Sequence, residues 1–117
     1  MNERDLEAWL EGYLGAWSSN DPQDIGALFT EDALYYTAPF REPWRGRDAI
    51  AQEWIDRKDD PGMWEFDHRI IAIAGDVGFV QGQTRYKDGP SYSNLWVIRF
   101  GDEGRCSEYT EWWMEES

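Results

Sequence analysis

A glutamate set between aromatic residues in an alternating segment is the first group in this sequence equipped to move a proton. Residues 105–115 read as a β-strand, in which successive side chains point to opposite faces. Ser107, Tyr109, Glu111 and Trp113 then share one face, and Cys106, Glu108, Thr110 and Trp112 share the other. A carboxylate walled by Tyr109 and Trp113 is desolvated, which raises its pKa towards the range useful for accepting and returning a proton. The competing reading is a strand carboxylate that is simply solvated or paired with an arginine. Arg85 is the arginine in question. Gln81, Gln83 and Arg85 share a face of one strand, and Asn94 and Trp96 share a face of the next. A polar row of this kind ordinarily faces solvent or a dimer partner. If it faces a cavity instead, Arg85 can pair with Glu111 while the amides orient a carbonyl ligand.

Tyr13 lies on the apolar face of the first helix, where its hydroxyl either meets a ligand or satisfies a backbone carbonyl in the core. His68, the sole histidine, sits between Asp67 and Arg69 with no serine or cysteine motif beside it, so it reads as a surface strand residue rather than part of a nucleophile triad. Cys106 is the one cysteine. It can form no internal disulfide, and one cysteine with one histidine offers little to zinc, so neither a metal nor a cofactor is expected. Arg41, Arg45 and Arg47 flank a loop and either draw in an anionic substrate or are simply solvated.

The elements that must hold these groups follow from periodicity. Leu6, Trp9, Leu10, Tyr13, Leu14 and Trp17 form a helical stripe behind an Asn2 N-cap, and the helix ends at Ser18-Ser19-Asn20. Asp21-Pro22 restarts a short helix whose buried edge is Ile25, Leu28 and Phe29. Residues 33–36 read as a short strand, 37–46 as a loop with two prolines, and 47–58 as a third helix carrying Ile50 and Trp54. The remainder reads as four strands, 63–74, 77–87, 91–100 and 105–115, joined by short turns that demand antiparallel pairing. Helices that precede such a sheet cover one of its faces, giving an α+β class in a single domain spanning 1–117.

A chain of 117 residues with 41% apolar and 16% aromatic side chains can bury one core. The net charge of −13 repels phosphate backbones and anionic lipid, so nucleic acid and membranes are not expected partners. Residues 1–5 lack the pattern of a signal peptide and no apolar run reaches bilayer length, so a cytoplasmic protein is expected.

Several stretches resemble a known family. They are Tyr13-Leu14-Gly15-Ala16-Trp17, Asn20-Asp21-Pro22, Ile25, Ala27-Leu28-Phe29-Thr30-Glu31-Asp32-Ala33, then Pro39, Gly46 and Ile50, and the closing run from Gly104 to Trp112. Together they are similar to the nuclear-transport-factor-2-like superfamily, in its SnoaL-like and ketosteroid-isomerase-like branch. The resemblance implies a cone-shaped fold, three N-terminal helices packed on a curved antiparallel sheet, enclosing a cavity open at one end. It also implies aromatic walls, for which Trp17, Tyr35, Trp54, Trp96, Tyr109 and Trp113 are the candidates, with Gln83, Arg85 and Asn94 as polar groups orienting a ligand. Tyr13 matches the oxyanion-stabilising tyrosine of ketosteroid isomerases, and Glu111 the acid/base aspartate of SnoaL-like cyclases, one methylene longer. The isomerase's catalytic aspartate falls at Thr37 or Ala38 and its protonated aspartate at Trp96. Neither position carries a carboxyl, so steroid isomerisation by that mechanism is not expected. An epoxide-hydrolysing branch uses two aspartates bridged by an arginine, with a tyrosine and an asparagine holding water. Arg85, Glu111, Asn94 and Tyr13 supply part of that set, but a second carboxylate is missing.

Three functions remain open. The first is proton transfer next to a carbonyl, with Glu111 as base and Tyr13 as electrophilic partner. The second is a carrier or sensor that holds an apolar or aromatic small molecule by burial. The third is an interaction module using the outer sheet face, which is also where a homodimer is expected.

Overall fold

The computed structural model describes residues 1–116. Helix α1 (Glu3–Ser19) starts at a capping box in which Asn2 Oδ1 accepts from the Asp5 amide at 2.9 Å and Asp5 Oδ2 accepts from the Asn2 amide at 3.1 Å. It ends at Asn20, whose left-handed φ of 52° turns the chain. Helix α2 (Pro22–Gly26) is capped by Asp21, which accepts from the Gln23 amide at 2.8 Å. Strand β1 (Phe29–Tyr36), the two-residue β2 (Trp44–Arg45) and α3 (Arg47–Asp56) follow. The chain closes with β3 (Trp64–Ala74), β4 (Val77–Tyr86), β5 (Ser91–Phe100) and β6 (Cys106–Glu115).

The strands form one sheet in the order β2-β1-β6-β5-β4-β3. The four long strands pair antiparallel, as their short turns require. The α+β class and the cone-like packing of helices on a curved sheet therefore stand, with three corrections. Strand β1 begins at Phe29 rather than residue 33, so Phe29 belongs to the sheet and not to the second helix. It runs parallel to β6, with Tyr35 beside Tyr109, so the sheet is mixed rather than wholly antiparallel. The loop at 37–46 contains β2, which pairs back on Leu34 and Tyr35.

Helix α1 lies on the concave face with Leu6, Trp9, Leu10, Tyr13 and Ala16 buried. Its close approach depends on Gly78, where a Cβ would stand 2.7 Å from Leu6 Cδ2. Gly82 plays the same part for Phe66, whose ring would lie 2.3 Å from an added Cβ. Phe66 crosses that gap and stacks on Trp96, centroids 4.6 Å apart. A bulge in β6 changes one parity: Arg99 opposes Glu108 while Phe100 opposes Cys106, leaving Ser107 as the extra residue. Cys106 is therefore fully buried beside Phe29 instead of facing outward with Glu108.

Candidate functional site

Between α1, α3 and the concave faces of β4, β5 and β6 lies a cavity of about 430 Å³ open to solvent. Strand pairing explains its floor. Trp96 opposes Glu111 and Asn94 opposes Trp113 across β5 and β6, while Thr84 opposes Tyr92 across β4 and β5. Partners in an antiparallel pair share a face, so all six project inward.

Glu111 Oε2 accepts two hydrogen bonds, from Asn94 Nδ2 at 2.7 Å and from Trp96 Nε1 at 3.2 Å. Asn94 is itself fixed, because its Oδ1 accepts from Thr84 Oγ1 at 2.8 Å, which aims the amide nitrogen at the carboxylate. Glu111 Oε1 makes no hydrogen bond among the described residues and is the oxygen left for a ligand. Burial raises the Glu111 pKa above its usual 4.5, and the bonds from Trp96 and Asn94 pull it part of the way back. Proton affinity is thus set by desolvation against two neutral donors.

Tyr13, on the inner face of α1, shares a 2.9 Å hydrogen bond with the Tyr35 hydroxyl of β1. Burial, followed by the nearby Glu111 charge, lifts the Tyr13 hydroxyl well above its ordinary range; burial, followed by the Tyr13 charge, does the same for Tyr35. Both therefore remain protonated donors at neutral pH. Tyr109 stacks on Tyr35 at 4.4 Å, fully buried behind the cavity wall, and its hydroxyl has no hydrogen-bond partner among the described residues.

At the mouth, Asp59 Oδ2 accepts from Trp17 Nε1 at 3.0 Å and from the Tyr86 hydroxyl at 3.1 Å. The segment is pinned further by Asn20, which donates to the Asp59 carbonyl at 3.1 Å and accepts from Trp54 Nε1 at 3.2 Å. The residue that ends α1 thus also anchors the rim. Burial, then the Asp59 charge, raises the Tyr86 pKa. Among the described residues no group of three or more histidine, cysteine, aspartate and glutamate side chains converges as a metal-ligand set.

Of the residues singled out in the sequence, Tyr13, Trp17, Tyr35, Trp54, Asn94, Trp96, Glu111 and Trp113 line this cavity. Tyr109 does not, since it packs one layer deeper. Gln83 and Arg85 are corrections. They pair with Ser93 and Ser91, on the parity opposite to Asn94, and so occupy the outer face. Arg85 there bonds Asp67 at 2.6 Å and Glu65 at 3.3 Å, so it does not neutralise Glu111. Gln83 donates to Glu116. The even row of β4, Thr84 and Tyr86, supplies the inner face instead. Sequence reasoning also missed Asp59, a second cavity carboxylate, hidden in a stretch whose Asp-Asp-Pro-Gly composition signals only a turn. The hydrolase-like set is nonetheless not assembled, because its bridging arginine candidate lies across the sheet. His68 is exposed on the edge strand and stacks on Phe66 at 5.5 Å.

Solved structures with this architecture include a nuclear-transport-factor-2-like protein of unknown function from Burkholderia xenovorans, 17% identical with a TM-score of 0.79, the match covering 100% of this chain and 88% of that one. A steroid delta-isomerase from Pseudomonas aeruginosa is 19% identical, TM-score 0.67, covering 96% and 81%. An epoxide hydrolase of the LEH-like type from M. tuberculosis is 16% identical, TM-score 0.64, covering 95% and 84%. At these identities the likeness establishes fold and not reaction. No curated protein matches the chain. No helix among the described residues is long and apolar enough to cross a membrane. A family profile described as the SnoaL-like domain matches residues 6–109, nearly the whole length, and the chain belongs to that family.

Proposed function

We propose that the chain catalyses proton transfer at a carbon next to a carbonyl in a small apolar or aromatic molecule, as in isomerisation or cyclisation. The observation carrying this reading is that Glu111, with one oxygen held and one free, and the protonated Tyr13–Tyr35 pair line one aromatic cavity. Glu111 Oε1 would take the α-proton, and the charge developing on the carbonyl oxygen would meet the Tyr13 hydroxyl, with Tyr35 donating to Tyr13 behind it. The proton would return from Glu111 to another carbon, so no net oxidation is involved. A raised pKa suits this role, since it makes the carboxylate a stronger base than a solvated glutamate.

The test follows the reaction class rather than a known substrate. Incubation of small cyclic ketones with the protein in D₂O, followed by NMR, should show α-deuteration that Glu111→Gln removes by about 10²–10⁴-fold. Equal exchange with wild type and Glu111→Gln would overturn the reading. A non-catalytic carrier is the second reading, favoured by the nine aromatic side chains on the cavity wall, which bind by burial without any proton movement.

A further inference from the structure

The charges around the cavity do not balance inward. Four charged residues line it: Glu111, Asp59, Arg57 and Lys58. Arg57 is committed elsewhere, paired with Glu53 one turn back on α3 and lying over the Trp44 ring at 5.5 Å. Lys58 sits on the exposed rim. Glu111 is held only by the neutral donors Asn94 and Trp96, and Asp59 only by the neutral donors Trp17 and Tyr86. Neither carboxylate has an ion-pair partner among the described residues, and Arg85 of β4 turns away to Asp67 and Glu65. A partly buried carboxylate is costly unless it is paired or protonated, and neither of these two touches a charge of opposite sign, because the two cations of the lining lie at the exposed rim.

The surrounding walls suit the charge that would supply it. Five tryptophans and four tyrosines line the space, and the electron-rich faces of such rings attract cations more strongly as water is excluded. Arg57 over Trp44 already shows a cation resting on one of these rings. The net charge of −13 steers cations toward the protein as a whole.

We infer that the cavity selects a small organic cation, a quaternary or protonated tertiary amine, over neutral or anionic molecules of the same shape. This deepens the proton-transfer reading and rests on it in one respect. A cationic nitrogen near the reacting carbon would stabilise the negative charge that Glu111 creates there.

Choline, its uncharged isostere 3,3-dimethylbutan-1-ol and the anionic 3,3-dimethylbutanoate separate charge from shape. Binding to the full chain is followed by quenching of tryptophan fluorescence and by calorimetry. Choline should bind about ten- to thirty-fold more tightly than the alcohol, and the carboxylate more weakly than either. Glu111→Gln should cut the preference for choline several-fold, with Asp59 and the aromatic walls retaining the remainder. Should that variant fail to fold, the wild type still decides: calorimetry at pH 4.5, the usual glutamate value, where a raised Glu111 is largely protonated, in buffers of different ionisation enthalpy should show protons released on choline binding and none on alcohol binding, and no release with choline would overturn the inference. Equal affinities for choline and the alcohol, tighter binding of the anion, or a preference for choline left unchanged by Glu111→Gln would overturn the inference. Choline presents no carbonyl, so these outcomes are independent of whether Glu111 exchanges α-protons.

Discussion

Glu111 faces two demands, to be basic enough to accept a proton and to be tolerated inside the fold, and its environment settles them by partial compensation. Its pKa is raised in the folded chain, so the native state binds more protons than the unfolded state between the usual 4.5 and that raised value. Stability is therefore greatest with Glu111 protonated and falls as pH rises through this window. Glu111→Gln removes that dependence while its amide oxygen still accepts from Asn94 and Trp96. Its melting temperature should equal or exceed wild type at pH 7, and the difference should vanish near pH 4. A lower melting temperature at pH 7 would mean that the ionised carboxylate stabilises the fold. Activity moves the opposite way, since the base must be ionised, so turnover should rise with pH across the same window. Tyr13→Phe tests the electrophile: it keeps the rings packed and removes the donor, so α-proton exchange should fall by about 10²-fold, while the melting temperature falls because the buried Tyr35 hydroxyl loses its partner. Arg85→Met should leave both the melting temperature and exchange near wild type, because its partners Asp67 and Glu65 are exposed on the outer face. A large loss of exchange would place Arg85 in the mechanism after all.

At the scale of elements, the cavity floor depends on a missing side chain in β4. Gly82→Ala would place a Cβ 2.3 Å from the Phe66 ring, which is stacked on Trp96, the residue that donates to Glu111. Moving that ring should cost about 1–3 kcal/mol of stability and should disturb the indole that holds Oε2, lowering the melting temperature and changing the tryptophan emission spectrum relative to wild type. An unchanged melting temperature would show that Phe66 moves freely. Much of the element order was legible because α1, α3 and the four long strands carry strong periodicity, and because Asn2, Asp21 and Asn20 are residues that end or start helices. The inward face of β4 was not legible, since Gly78, Val80, Gly82 and Thr84 are no more apolar than Val77, Phe79, Gln81 and Gln83. Only the register against β5, which pairs Thr84 with Tyr92, decides between them. Cys106 was misread for a related reason, because a bulge at Ser107 shifts parity without any glycine to announce it. The parallel pairing of β1 with β6 joins segments about 75 residues apart, beyond the reach of local pattern. Glu111 was found because Tyr109 and Trp113 flank it on one strand. Asp59 was not, because its partners Trp17 and Tyr86 come from distant elements.

On the scale of the whole molecule, the outer face of the sheet lacks the helical cover that the concave face has. Trp112 stands opposite Leu95 there, 46% exposed, and Met114 follows it at 70%. Trp113 is 48% exposed as well, but it points the other way, into the cavity mouth. Core packing therefore explains neither tryptophan fully: one belongs to the ligand site and the other is left over. We propose that a second copy of the chain covers Trp112 through a two-fold contact of this face with itself. A stable interface needs about 800 Å² from each partner, which requires the patch to extend from β6 across Leu95 and Val97 of β5 to Phe79 of β4; these four residues share the outward parity. The acidic excess opposes self-association, and salt screens such repulsion between exposed charges. Dimerisation should therefore strengthen as ionic strength rises from low to physiological, the reverse of an interface built on ion pairs. Sedimentation at micromolar concentration should give a dimer, and Trp112→Glu should give a monomer with an unchanged circular dichroism spectrum and unchanged choline affinity, because the substituted side chain lies across the sheet from the cavity. A wild-type monomer at physiological salt, or a Trp112→Glu protein that still sediments as a dimer, would assign the exposed tryptophan to some other use.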